Sequence, residues 1–214
     1  MAGARDEILA RLYGNRPLAH RTIFAHRHKD RQGHPVPSAP FHEEMIQDWH
    51  GPAKGVVDLV FRGGAKSTIA EEAICIMAGF REFRNGLVIG ENYDRAASRL
   101  YAIRREIEAN ERMYQAFGSL LGAYTAEDRM ILSTGACIQA LGMGQALRGI
   151  KHEDQRPDLA FCDDLENLKT TADLDRYKVL LMTYEGMKPM SPDADKVLAD
   201  WVKAGGALVF GDDD

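Results

Sequence analysis

Long apolar runs are missing from this 214-residue chain. No stretch approaches the roughly 20 residues needed to span a bilayer. The opening segment MAGARDEILARLYG has no apolar core behind its charges, so neither a membrane anchor nor a secretory signal is expected. Cysteine is scarce: Cys75, Cys137 and Cys162 sit in apolar stretches without metal-ligand spacing. They read as buried, reduced thiols in a cytosolic setting. A strong excess of one charge is absent too. The formal net charge is −5, which argues against a dedicated nucleic-acid binder but not against a local basic face. A hydrophobic share of 45% and mixed-sign charge at 28% are those of a folded protein. One large domain, or one with a small appendage, is expected.

What is present is an ordered alternation. Residues 1–15 read as a short amphipathic helix with Ile8, Leu9, Leu12 and Tyr13 on one face. Next comes a stretch with Arg16, Arg21, Arg27, Lys29 and Arg31 against one acid, Asp30, ending in Pro35, Pro37 and Pro40. It reads as a solvated basic arm or linker. Its histidines (His20, His26, His28, His34) lack cysteine or paired-carboxylate company, which weighs against a metal site. From Phe41 the chain alternates strand and helix: VVDLVF (56–61), a helix from about Thr68 to Phe83, GLVIG (86–90), and a helix from Asn92 to Asn110. A hairpin over 129–142, the acid-ended strand DLAFCDD (158–164), KVLLMTY, a helix over 193–204 and GALVFG complete it. This pattern predicts an α/β fold with a mostly parallel, doubly wound sheet flanked by helices.

The chemistry concentrates in Val60-Phe-Arg-Gly-Gly-Ala-Lys-Ser-Thr68. An apolar strand runs into a glycine-bearing turn, then Lys-Ser-Thr, then a helix. Such a loop wraps a triphosphate with its backbone N–H groups and the helix N-terminus. Gly63, Gly64, Ala65, Lys66, Ser67 and Thr68 are the candidate nucleotide contacts, with Lys66 on the β/γ oxygens and the Ser67 hydroxyl on Mg²⁺. The strict pattern G-x-x-x-x-G-K-[ST] fails at Val60 and Ala65. A plain strand–turn–helix junction with a surface lysine is the competing reading. About ninety residues later, Leu159-Ala-Phe-Cys-Asp-Asp164 is an apolar strand ending in two carboxylates, as the strand beside a phosphate loop requires. Asp163 is placed for the Mg²⁺ shell, and either Asp164 or Glu166 for orienting and deprotonating the attacking water. The expected fold is therefore a P-loop NTPase of the RecA/ASCE-like kind, using ATP and Mg²⁺.

From Phe41 to Asn167 the sequence resembles the ATPase region of large terminase subunits, the DNA-packaging motors of tailed bacteriophages. The resemblance is carried by Arg62-Gly-Gly-Ala-Lys-Ser-Thr68, Phe41-His-Glu-Glu-Met with Trp49, Gly90-Glu-Asn-Tyr-Asp-Arg95, Leu147-Arg-Gly149 and Arg156-Pro-Asp-Leu-Ala-Phe-Cys-Asp-Asp-Leu-Glu-Asn167. It implies ATP hydrolysis driving double-stranded DNA into a procapsid, by a homo-oligomeric ring docked on a portal protein and working with a small terminase subunit. It implies that Arg62 faces the γ-phosphate and that Gln47 reads the adenine edge, with Trp49 or Phe41 packing nearby. Arg148 is implied to act on a neighbour's nucleotide or on DNA, a structural loop arginine being the even alternative. The location implied is the cytoplasm of a bacterial host.

The chain departs from that family in three ways. No room remains for a nuclease domain, so DNA cutting is not expected, and Asp212–Asp214 reads as an acidic end. No threonine follows Gly211 where the family has its coupling Gly-Thr. Residues from Tyr177 onward are more similar to a strand–helix–strand piece of glutamine-amidotransferase-like domains, without a nucleophile elbow. The expected organisation is an N-terminal helix and arm over 1–40, an ATPase core over 41–173 and an atypical tail over 174–214. Whether that tail completes the sheet or packs beside it is open at this level. Two other functions compete: a non-catalytic prophage remnant that keeps the fold, and another nucleic-acid-linked P-loop ATPase of helicase type.

Overall fold

In the computed structural model, which describes residues 2–53, 55–60, 63–142, 145, 149–163, 200 and 207–210, three helices precede the first strand. Helix α1 spans Ala2–Gly14. Helix α2, Arg16–Ile23, starts where the Asn15 side chain accepts the Leu18 N–H, with Pro17 in its first turn. Helix α3, Pro40–Trp49, has proline at its opening position, where no backbone donor is lost. Strand β1 (Val56–Leu59) then leads through the glycine-bearing loop into α4, Lys66–Gly79.

Helix α4 is the centre of the molecule. Ile69 to Ala78 are all buried, so the helix is apolar nearly all round, as a helix enclosed on every side must be. Helices α2 and α3 pack on it, as does α5 (Tyr93–Ala109). It stops four residues before the expected Phe83. Glu82 N–H reaches the Met77 carbonyl at 2.9 Å and Arg81 takes a left-handed φ of 59°, a Schellman-type stop.

The main sheet has five described strands in the order β3-β4-β5-β2-β6. Strand β2 (Asn85–Gly90) is buried throughout and pairs in parallel with both β5 (Cys137–Gly142) and β6 (Leu159–Asp163). Burial on both faces explains why these strands are continuous apolar runs. The predicted hairpin is present, with β4 (Arg129–Leu132) antiparallel to β5. Beyond it lies β3 (Leu121–Thr125), antiparallel and half-exposed, with a register shift between Leu121 and Tyr124. Sequence periodicity does not reveal β3, because LGAYT carries no alternating apolar face.

Helix α6 (Glu111–Phe117) is also unforeseen. Asn110 ends α5 and caps α6 at once, its Oδ1 accepting from the N–H groups of Arg112 (3.0 Å) and Met113 (3.1 Å). Among the described residues β1 stands in a separate two-stranded sheet, with one strand of the tail. Strand β7 (Ala207–Phe210) pairs in parallel with β1, Val56 opposite Ala207 and Leu59 opposite Phe210. Its predicted helix over 193–204 and the KVLLMTY strand lie outside the described residues, apart from Asp200.

The basic stretch is not a solvated arm along its length. Ala19, Ile23 and Phe24 belong to the same apolar core as α4 and the sheet. Arg16 pairs with Glu82, Arg21 with Glu43, and Arg27 with Glu71 at 2.7 Å. Only from Lys29 to Pro37 is the stretch uniformly exposed. Its positive charges are largely neutralised by the protein's own carboxylates.

Candidate functional site

The loop between β1 and α4 carries the local geometry an anion site needs. Gly63 has φ 89° and Ala65 φ 55°, so the chain turns through the left-handed region twice before α4 begins. The N-cap residue of α4 is Ala65, whose side chain has no atom to accept from the first N–H groups of the helix. These groups and the helix dipole favour an anion at that end. Gly64 is held from behind by α3: His42 Nε2 lies 2.8 Å from the Gly64 carbonyl oxygen. The Ala39 N–H donates to His42 Nδ1 at 3.2 Å, so the proton sits on Nε2 and the imidazole donates to the loop.

Lys66 is buried, at 7% exposure, and its Nζ donates to the Val60 carbonyl at 2.5 Å. It spans the loop from within. The Ser67 hydroxyl donates to Asp163 Oδ2 at 3.0 Å, across 96 residues of sequence. The glycine-bearing loop and the acid-ended strand are joined by this bond. Hydroxyl and carboxylate oxygens together are the hard donors Mg²⁺ prefers.

The same Asp163 oxygen accepts a second bond, from Arg99 Nε on α5 at 2.9 Å. Arg99 Nη1 reaches Glu71 at 3.2 Å, and Arg27 Nη2 takes the other oxygen of Glu71. Glu71 stands one helical turn beyond Ser67 on α4 and is 3% exposed. Neither Arg99 nor Glu71 is among the sequence-predicted residues. Glu71 has a weak signal in its i+4 spacing from Ser67, whereas Arg99 looks like any surface arginine of a long helix. His42 lies inside the Phe41-His-Glu-Glu-Met segment but carries no spacing signal of its own.

Behind the loop, a further polar cluster is folded into the core. His20 is fully buried, which lowers its pKa to about 4 despite a bond to Glu72. Burial works against the charge of Glu72, yet hydrogen bonds from His20 and His28 outweigh it and hold that carboxyl below its ordinary range. Burial pushes the Cys162 thiol, next to Asp163, up to about 12. Cys75, Cys137 and Cys162 are all free and buried.

The adenine-side residues divide. Gln47 is exposed on α3 and Phe41 is half-buried beside the His42 ring. Trp49 departs from its expected role. It is 2% exposed and donates its indole N–H to Asp58 Oδ2 at 2.5 Å, a core contact and not an open stacking face. Thr68 and Ser67 are half-buried, and Ala65 and Gly63 exposed. Arg62, Arg148, Asp164 and Glu166 lie outside the described residues. Two concavities, of about 390 and 510 Å³, lie elsewhere: one between α5 and the β3–β4 edge, the other at the amino ends of β2 and β5. Among the described residues, no helix is long and apolar enough to cross a membrane.

No family model matches the sequence, and no curated protein does. Solved structures do match. The large terminase of bacteriophage HK97 superposes with a TM-score of 0.58 at 16% identity, over 86% of this chain and 40% of that one. A mutant large terminase ATPase domain of Thermus phage P74-26 gives a TM-score of 0.51 at 15% identity, over 72% of this chain and 68% of that one. The chain thus spans about two fifths of the length of the HK97 protein. Its mixed α/β architecture, a mostly parallel sheet flanked by helices, is the fold of the phage large-terminase ATPase domain.

Proposed function

We propose that this chain is the ATPase region of a terminase large subunit, hydrolysing Mg-ATP to drive double-stranded DNA into a procapsid. The observation that supports it most is the bond between Ser67 and Asp163 at the uncapped head of α4, with Lys66 buried in the loop beside it. A plain strand–turn–helix junction has no need to bring a hydroxyl, a carboxylate and a buried lysine to one point.

In this reading the loop N–H groups from Gly63 to Thr68 and the Lys66 ammonium bind the β- and γ-phosphates. Ser67 and Asp163 hold Mg²⁺, and Gln47 meets the adenine edge. Bound Mg²⁺ supplies charge neutralisation on the phosphate oxygens. Lys66 leaves the Val60 carbonyl for phosphate. Arg62 adds positive charge at the γ-phosphate, and Asp164 or Glu166 orients the water that attacks phosphorus and takes its proton. Arg148 serves a neighbour's nucleotide or DNA in a ring docked on a portal, with a small subunit as further partner. The setting is the cytoplasm of a bacterial host. The functional unit is the core of residues 41–173, with 1–40 packed on it and 174–214 as its tail.

The test is Mg²⁺-dependent ATP hydrolysis by the native chain beside Lys66→Ala, with binding of a fluorescent ATP analogue followed in both. Binding and turnover lost together in the variant support the reading. Binding without turnover in the native chain points to a non-catalytic form or to a site completed by a neighbour. Absence of binding in the native chain overturns it.

A further inference from the structure

Asp163 is claimed by two cationic chemistries at once. In the proposed reaction its carboxylate holds a divalent metal with Ser67, yet its Oδ2 already accepts from Arg99 Nε at 2.9 Å. We infer that Arg99 is a resident counter-cation of the metal site, which keeps Asp163 closed to a divalent cation on its own and opens it only to a cation arriving with nucleotide. The inference rests on the ATPase reading above.

Three observations support it. First, the guanidinium is held at both ends. Its Nη1 binds Glu71 at 3.2 Å, and Glu71 is itself fixed by Arg27 at 2.7 Å. Second, α5 cannot drift away from the sheet. A Cβ on Gly142 would lie 2.4 Å from Tyr93 N, and one on Gly90 would lie 2.9 Å from Ala96 N, so the amino end of α5 rests directly on the ends of β5 and β2. Third, Arg99 and Ser67 donate to one and the same oxygen. A divalent cation held by Ser67 and Asp163 would therefore share its carboxylate with a fixed positive charge.

Like charges that close oppose each other. A bare cation gains one carboxylate already neutralised by arginine. A nucleotide's phosphates bring several negative charges, which reverse the sign of the local field and stabilise cation and guanidinium together. The site thus takes metal and nucleotide as a unit. Arg99 acts through Asp163 and is a positioning residue, not a catalytic one.

The experiment uses Mn²⁺ as the probe, with the full chain and no nucleotide. Free Mn²⁺ is followed by its electron paramagnetic resonance signal for the native chain, Arg99→Gln, Arg99→Lys and the double variant R99Q/D163N. Expected are weak binding by the native chain and by Arg99→Lys, and binding about tenfold tighter in Arg99→Gln, the effect of removing one adjacent unit charge. The gain disappears in the double variant. If Arg99→Gln fails to fold, Arg99→Met, of matched length and no charge, takes its place. Unchanged Mn²⁺ affinity in the uncharged variant overturns the inference and leaves a clamp between α5 and β6. So does a gain that survives loss of Asp163, or tight binding by the native chain. Since no nucleotide is present, this outcome is separate from that of the ATP-binding test.

Discussion

His42 donates its Nε2–H to the Gly64 carbonyl at 2.8 Å, so that helix α3 holds the loop between β1 and α4 by its backbone. The bond orders a turn whose own residues include two in left-handed conformation, Gly63 and Ala65. Replacing His42 by alanine removes one neutral hydrogen bond, a change of about 1 kcal/mol. Affinity for the fluorescent ATP analogue is expected to fall about fivefold with the fold intact by circular dichroism. Unchanged affinity means that the loop needs no support from α3.

Ala65 occupies the place where the strict phosphate-loop pattern has glycine, and it takes φ 55° there. A Cβ in that region costs about 1 kcal/mol. Glycine's greater freedom when unfolded offsets roughly half of that or more, so Ala65→Gly is expected to stabilise the chain by no more than about 0.5 kcal/mol in urea titration. Destabilisation of similar size would mean that the loop is not strained.

Asp58 gives the chain a pH-dependent stability. Burial raises its pKa from 3.8 to about 7, against the hydrogen bond from Trp49 and the charge of Lys66, and Oδ1 has no partner among the described residues. With the folded value above the unfolded one, the native chain keeps a proton that the unfolded chain has lost between those two values. Stability from this group therefore falls as pH rises from 3.8 to about 7, and is level above. The loss is on the order of 2–4 kcal/mol. Asp58→Asn keeps an acceptor for Trp49 and is expected to flatten the urea midpoint between about pH 5 and about pH 8. A native midpoint that does not change over that range counts against a buried, protonated Asp58.

The basic stretch separates into structural and free charges. Arg27→Ala takes from buried Glu71 one of its two arginine partners, with Arg99 still on the other oxygen, and is expected to cost about 2 kcal/mol in thermal or urea unfolding. Lys29 and Arg31 are exposed, and their joint replacement by alanine is expected to leave stability unchanged. If they bind DNA, the slope of log affinity against log salt falls by about one for each phosphate no longer neutralised. An unchanged slope returns this stretch to a purely structural role.

Much of the site is legible in the sequence because its parts are local. Strand, glycine-bearing turn and Lys66-Ser67-Thr68 are contiguous, and hydrophobic runs mark β2, β5 and β6 without help from the rest of the fold. The acid at the end of β6 meets Ser67 only through the fold, because among the described residues β1, which leads into the Ser67 loop, pairs with β7 and lies in a sheet apart from β6. Trp49 is different, because an aromatic residue near a nucleotide motif looks the same whether it faces a base or the core. Its direction is set by Asp58, a buried acceptor on β1 that the indole satisfies. The basic stretch misleads for a related reason: a run of arginines shows its charge, but not the glutamates on α3, α4 and the turn after α4 that neutralise it.

Periodicity, turn chemistry and contiguous motifs act over a few residues, and so the alternation of strand and helix, the glycine-bearing loop and the acid-ended strand are written in the amino-acid order alone. The folded chain adds that Arg99 shares an oxygen with Ser67, that Arg27 belongs to Glu71, and that β7 returns to lie against β1. Those meetings join segments far apart in the chain. The direction of one side chain and the register of one strand select the partner, and neither has a signature in local pattern.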